Sequence, residues 1–276
     1  MTATTVTRDV VMAGTPAAGD QRVTFPRVLR MEWIKFWSLR STAFTLAVTA
    51  AVLVGIGASI AGVAGTGDGP GDDFTDPTQI GLAGVMLAVL ASAALGALMS
   101  TGEYATGTIR ATLTAVPSRL PVLWAKAAVF AVSTFVLMLG AVMVAFLTAQ
   151  AILSSRGHDT AALGDPGVLR AVAGAAVYLS GAGLIGLAVG ALLRNSAAAI
   201  SIVVAALFIV PGLFQLLPQS WNDDVAPYLP SNAANAFMSV QATEPTLSVG
   251  AGIAVFAGYV AVLLASASIA LRRRDA

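Results

Sequence analysis

Cysteine is absent from the chain. Disulfides, thiol nucleophiles and thiolate metal sites are therefore excluded, and the compartment carries no redox marker. Charge is scarce as well. Asp, Glu, Lys and Arg make up 11% of the 276 residues, against about 25% in an ordinary soluble domain. The formal net charge is +1, so there is no global basic field to attract nucleic acid. Lysine is nearly missing: Lys35 and Lys126 stand against thirteen arginines. With abundant Ala and Gly, this usage suggests a GC-rich bacterial source. His158 is the single histidine and lies in a polar connection, where a solvated residue is the simpler reading than a ligand. No His-Glu-x-x-His pattern occurs, and no Ser/His or paired-carboxylate arrangement falls within an apolar segment; an intramembrane enzyme is poorly supported.

Apolar sequence fills the space that charge leaves, with 57% of residues hydrophobic. Six segments approach or exceed the roughly 20 apolar residues that cross a bilayer, at about 42–64, 78–100, 122–152, 168–193, 197–217 and 248–271. The expected fold class is an all-α membrane protein with six transmembrane helices. Pro211-Gly212 predicts a kink near the outer end of the fifth span. Residues 1–25 are rich in Thr, Ala and Gly without an apolar face and read as a disordered cytoplasmic tail, leaving 26–276 as one transmembrane domain. No apolar core with a cleavage site occurs in that tail, which argues against a signal peptide.

The connections alternate in charge. The tail, the 101–121 loop with Lys126, the turn at Arg194 and the C-terminus carry 13 Lys/Arg and 5 acids, whereas the other three connections carry 2 Arg and 9 acids. Basic residues mark the cytoplasmic side, so both termini and the 101–121 loop are expected inside. No acid or base lies deep in a span, which argues against a proton-coupled carrier or a charged-ring pore.

Several segments invite a functional reading. In residues 26–40, PRVLRMEWIKFWSLR, helical spacing places Leu29, Trp33, Phe36 and Trp37 on one face and Arg27, Arg30, Lys35 and Ser38 roughly opposite. That is the pattern of a helix lying in the inner headgroup layer; an aromatic anchor with no further role reads equally well. Residues 101–110, TGEYATGTIR, give Gly102 and Gly107 the spacing of a phosphate-binding loop, but Thr108 stands where its lysine should be. Residues 103–114 can instead form a short helix with Glu103, Gly107 and Arg110 on one face and Tyr104 and Thr108 in the adjacent row. Such a helix can dock on a cytoplasmic partner, with Gly107 permitting close backbone approach; the bland alternative is a solvated loop that only fixes topology. Ala182, Gly186 and Gly190 form a small-residue row on the fourth span, Ala93 and Ala97 another on the second, and both suit close helix packing, within the chain or across a dimer seam. The long outer connection at 218–247 has room for a short interfacial helix around 231–241.

Taken in order, RMEWIKFWSLRST, GEYATGTIRATLTAVPSRLPVLWAKA, ALLRNSAAAI and YLPSNAANAF resemble the membrane subunit of type-2 ATP-binding-cassette (ABC) exporters, over roughly residues 26–274. The resemblance implies an N-terminal amphipathic elbow helix and a short cytoplasmic coupling helix between spans two and three. Glu103, Tyr104, Gly107, Thr108 and Arg110 would then be the positions coupled to a separate ATPase subunit, with Leu29, Trp33, Phe36 and Trp37 on the elbow. It implies a second permease subunit, identical or a sister chain, in a bacterial cytoplasmic membrane. ATP and Mg would be held by the partner, with no cofactor on this chain. An apolar seam suits a hydrophobic or amphipathic substrate. An ATP-independent channel or carrier, or a non-transporting scaffold or sensor subunit, remains open at this point.

Overall fold

A bilayer offers no water to an unpaired peptide group, so apolar runs must satisfy their backbone internally as helices. The computed structural model describes residues 24–64, 76–107, 119–240 and 247–273, and among them no strand occurs. Helix α1 (Phe25–Ser38) is followed after one extended residue, Leu39, by α2 (Arg40–Val63). Asp76 caps α3 (Pro77–Leu82) by accepting the Thr78 N–H at 2.8 Å. A turn at Ala83-Gly84 leads into α4 (Val85–Ala105). Helices α5 (Arg119–Ser155) and α6 (Val168–Leu193) follow. Then come α7 (Ser196–Val204), a π-helical turn (Ala205–Ile209) and α8 (Val210–Phe214). The outer connection folds as α9 (Gln219–Asp224), a 3-10 turn (Ala226–Tyr228) and α10 (Pro230–Met238), and α11 (Val249–Arg273) ends the described chain.

Among the described residues, six stretches are long and apolar enough to cross a membrane: Arg40–Val63, Pro77–Ala105, Leu120–Ser155, Val168–Leu193, Ser196–Phe214 and Val249–Arg273. They lie within a few residues of the sequence expectation, except that the second span runs on to Ala105. The disturbance expected at Pro211-Gly212 falls earlier, in the π turn. Pro211 has no N–H to offer Leu207, and the Val210 N–H reaches back to Ala205 O instead, which is how a helix absorbs a proline without opening.

The hub of the bundle is α6. Of its apolar window 72% is buried, against 17% for each of the fifth and sixth spans. Small residues make that possible. A Cβ added to Gly186 would stand 2.0 Å from Ala93 O, and one at Gly190 would stand 2.7 Å from Ala97 O. The two small-residue rows thus face each other within one chain, between α4 and α6, and Ala182 is buried on the same helix. Two hydroxyls stitch the contact: Ser92 Oγ donates to Leu179 O at 2.7 Å and Ser100 Oγ to Leu187 O at 2.9 Å. At the other end of α6, Arg170 donates to Ala236 O and Ser239 O at 3.3 and 3.0 Å, holding α10 over the bundle.

Candidate functional site

Helix α1 does not present the single aromatic face expected from its spacing. Val28, Glu32 and Phe36 are buried against the bundle, and Leu29 is half-buried, whereas Trp33, Ile34 and Trp37 are exposed together with Arg27 and Arg30. The predicted stripe is split between two faces because the helix has a protein side and an outer side. A helical wheel cannot tell protein from lipid when both are apolar. Phe36 stacks edge-on against Phe130 of α5 at 6.3 Å, and Val28 packs with Val122 and Ala125.

The buried face of α1 carries a carboxylate that the sequence reading passed over. Glu32 is fully buried and belongs to a cluster with three other charges, two of which it meets directly. Lys35 Nζ donates to Glu32 Oε1 at 3.1 Å and to Glu103 Oε1. Lys126 Nζ donates to Glu103 Oε1 at 2.6 Å and lies 3.3 Å from Glu32 Oε2. This last contact is ionic without hydrogen-bond alignment, since Glu32 Oε2 accepts no hydrogen bond. Lys126 also reaches the Met99 carbonyl at 3.4 Å. Both lysines of the chain and two of its three glutamates therefore form one neutral cluster joining α1, the last turn of α4 and the first turns of α5. The alternating signs satisfy each charge in a place where an isolated one would be prohibitive.

Burial alone would lower the Lys35 pKa. The hydrogen bond to Glu103 and the charges of Glu32 and Glu103 outweigh it, so the ammonium is held above the usual lysine range. A lysine with a raised folded pKa contributes stability that is whole below the unfolded value of about 10.4 and is lost as pH rises through the folded one. The Tm difference between the wild type and Lys35→Met should accordingly stay constant from roughly pH 6 to 9 and shrink only above about pH 10.4. A difference that shrank already at neutral pH would assign the effect to another group.

These contacts correct the local picture at 103–114. Residues 103–105 are the end of the second span, not the start of a separate helix, and Glu103 points into the protein with only 8% of its surface exposed. Helix α4 stops at Ala105, and Gly107 takes a left-handed φ of 71°, a conformation open to glycine and costly elsewhere. A Cβ at Gly107 would meet nothing. Thr108 and Arg110, like the rest of the expected coupling helix to 114, lie outside the described residues.

A second latch grips α4 from the opposite side. Ser196 Oγ donates to Thr101 Oγ1 at 2.7 Å, at the start of α7. The Arg194 guanidinium lies 5.0 Å from the centre of the Tyr104 ring, a cation–π separation. Arg194 occupies the left-handed C-cap of α6 at φ 55°, where glycine is the usual residue; an arginine there costs roughly 1–2 kcal/mol, and this one faces Tyr104. Asn195 then caps α7 by accepting the Ala198 N–H at 3.0 Å. The base of the 107–118 segment is thus clamped to α1 and α5 by charge and to the α6–α7 turn by a hydroxyl pair and a ring.

One cavity lies elsewhere, about 580 Å³ between α5, α6 and α11. Its wall includes Trp124, Phe135, Phe256 and Leu264, and its hydroxyl, Ser180 Oγ, is occupied in donating to Ala131 O at 3.0 Å. It offers no charge to orient a ligand, so the charged end of α4 is the better candidate site. Among the described residues no group of three or more metal-ligating side chains occurs.

Comparison with curated proteins gave no match. The model of the family described as ABC-2 family transporter protein matches residues 28–212. That stretch begins inside α1, takes in the whole charge cluster and both latches on α4, and ends beyond the π turn, over well more than half of the chain. The chain therefore belongs to the ABC-2 transporter family, as a multi-pass membrane component of an ABC system.

Proposed function

We propose that this chain is the permease subunit of an ATP-driven exporter, and that the clamped end of α4 is where it receives motion from a separate ATPase subunit. The observation that carries the reading is the double clamp. Any force applied to residues 104–118 passes through Glu103 to α1 and α5, and through Thr101 and Tyr104 to the α6–α7 turn. A loop held only by its own backbone would dissipate that force. In this reading Tyr104, Gly107, Thr108 and Arg110 face the ATPase, Glu103 sits behind them as the joint, and both termini lie in the bacterial cytoplasm. ATP and Mg belong to the partner, which alone hydrolyses nucleotide. A second permease copy or a sister chain completes the path, and the apolar spans favour a hydrophobic or amphipathic substrate.

Purification of the tagged chain in mild detergent from its native membrane tests this. A stoichiometric soluble ATPase should accompany it. Arg110→Glu or Gly107→Trp should cut its yield about tenfold or more, the equivalent of 1.4 kcal/mol of binding. Glu103→Gln should retain the ATPase yet lower substrate-stimulated turnover. A chain that purifies alone, under conditions that hold known complexes together, would remove the coupling assignment.

A further inference from the structure

Among the described residues of α1, those exposed on its outer face carry positive charge only. Arg27 and Arg30 are exposed on it, and Arg40 is exposed one residue past the Leu39 break. The only acid between residues 24 and 64 is Glu32, and it is buried and paired to both lysines. The charge cluster thus buries the one acid of this stretch, while Arg27, Arg30 and Arg40 lie on its exposed side. Large apolar side chains share that side: Trp33 is 45% exposed, Ile34 57% and Trp37 44%. Arg30, Trp33 and Trp37 follow one another at i, i+3 and i+7, as do Arg27, Arg30 and Ile34, so all five occupy one face of the helix. The two indoles stand 5.9 Å apart.

The position of α1 fixes what that face can meet. Ser38 ends α1 and Arg40 begins the first span. A single residue spans about 3.8 Å, too little to lift α1 away from the membrane boundary. Indoles favour the headgroup layer, and arginine stems lie along apolar surface while their heads reach phosphate.

We propose that the exposed face of α1 is a binding surface for anionic phospholipid. Arg27, Arg30 and Arg40 hold the phosphates, and Trp33, Ile34 and Trp37 sit among the upper acyl carbons. A zwitterionic lipid would satisfy the indoles equally well, so the arginines make the surface selective. This inference requires six spans in a bilayer but no coupling to an ATPase, so it stands or falls separately from the proposed function.

The test reads Trp33 and Trp37 directly. The full chain carrying Trp124→Phe and Trp221→Phe leaves these as its only tryptophans. It is reconstituted in vesicles of about one part phosphatidylglycerol to four parts phosphatidylcholine, with either lipid brominated on its acyl chain. Three arginines near a negative surface predict that brominated phosphatidylglycerol quenches at least about threefold more per mole than brominated phosphatidylcholine. The ratio should fall toward one at about 1 M salt, where the Debye length drops to roughly 3 Å. It should also fall in an Arg27→Gln, Arg30→Gln, Arg40→Gln triple variant and persist when lysine replaces the same three residues. Equal quenching by the two lipids overturns the selectivity, and absence of quenching by both overturns the membrane contact. Quenching that disappears on addition of the ATPase assigns the face to that protein and overturns the proposal too.

Discussion

Replacing Gly96 by alanine should destabilise the chain by about 3 kcal/mol or more, against the helix-propensity gain of roughly 1 kcal/mol that the same exchange brings in an open helix. A Cβ at Gly96 would stand 1.8 Å from Gly183 O, 2.7 Å from the Gly183 carbonyl carbon and 3.0 Å from Leu187 N. All three are backbone atoms of α6, so no side chain can rotate away and the two helices must separate. Separation is costly on both sides of the contact. Ser92 and Ser100, four residues before and after Gly96, would lose their bonds to Leu179 O and Leu187 O. Intramembrane hydrogen bonds of this kind average only about 0.6 kcal/mol each, so the backbone clash is the larger part. Gly140 is the matched control: it lies on α5 with nothing within 4 Å of an added Cβ, and Gly140→Ala should be neutral or stabilise by up to about 1 kcal/mol. Thermal unfolding of the two variants in detergent measures the contrast. If Gly96→Ala melted like Gly140→Ala, the α4–α6 contact would not be the close one described.

The spans were legible in the sequence because length and apolarity alone decide whether a segment can cross hydrocarbon. The first span, read at 42–64, folds as Arg40–Val63. A disturbance in the fifth span was legible from Pro211, which lacks an N–H, although its place at Ala205–Ile209 and its form as a π turn were not. The candidate site was harder to read, and the difficulty is specific. In the sequence Glu103 reads as outward-facing, because a position near a span end implies solvent. Its partners Lys35 and Lys126 are 68 and 23 residues away in sequence, a pairing that no local period encodes. Glu32 does not stand out in residues 26–40, because within an apolar stripe one acid looks like an interruption. A signal was present nonetheless. The chain has only two lysines, and both lie near the borders of its spans. Ionisable groups at membrane borders either reach water or find each other, and tracing where both lysines go would have raised the second possibility.

Lys126→Met should be the most damaging single change at the charged end of the bundle. Lys126 has 6% of its side chain exposed, and it separates Glu103 at 2.6 Å from Glu32 at 3.3 Å. Without it, two buried carboxylates share the single charge of Lys35. Removing one partner from a buried ion pair costs about 3–5 kcal/mol, because the charge left behind has no water to return to. The cost is one of leaving charges unpaired, not of losing an attraction, and this gives the prediction its shape. Adding Glu103→Met to Lys126→Met restores neutrality, with Glu32 paired to Lys35 alone, so the double variant should be more stable than Lys126→Met by itself. Purely additive losses would mean that the four residues act separately, and the cluster would then be a coincidence of packing. Glu32→Met with Lys126→Met should recover less, because Glu32 also seats α1 against α5 through its neighbours Val28 and Phe36. A buried ionic cluster that adds little net stability over an apolar core can still fix the register of the helices it joins. Here it would set α1 at one rotation, with its acid inward and its arginines and indoles outward. Unfolding midpoints of the three single and two double variants, compared with the wild type as two cycles, should therefore give coupling energies of about 1–3 kcal/mol between Lys126 and each carboxylate.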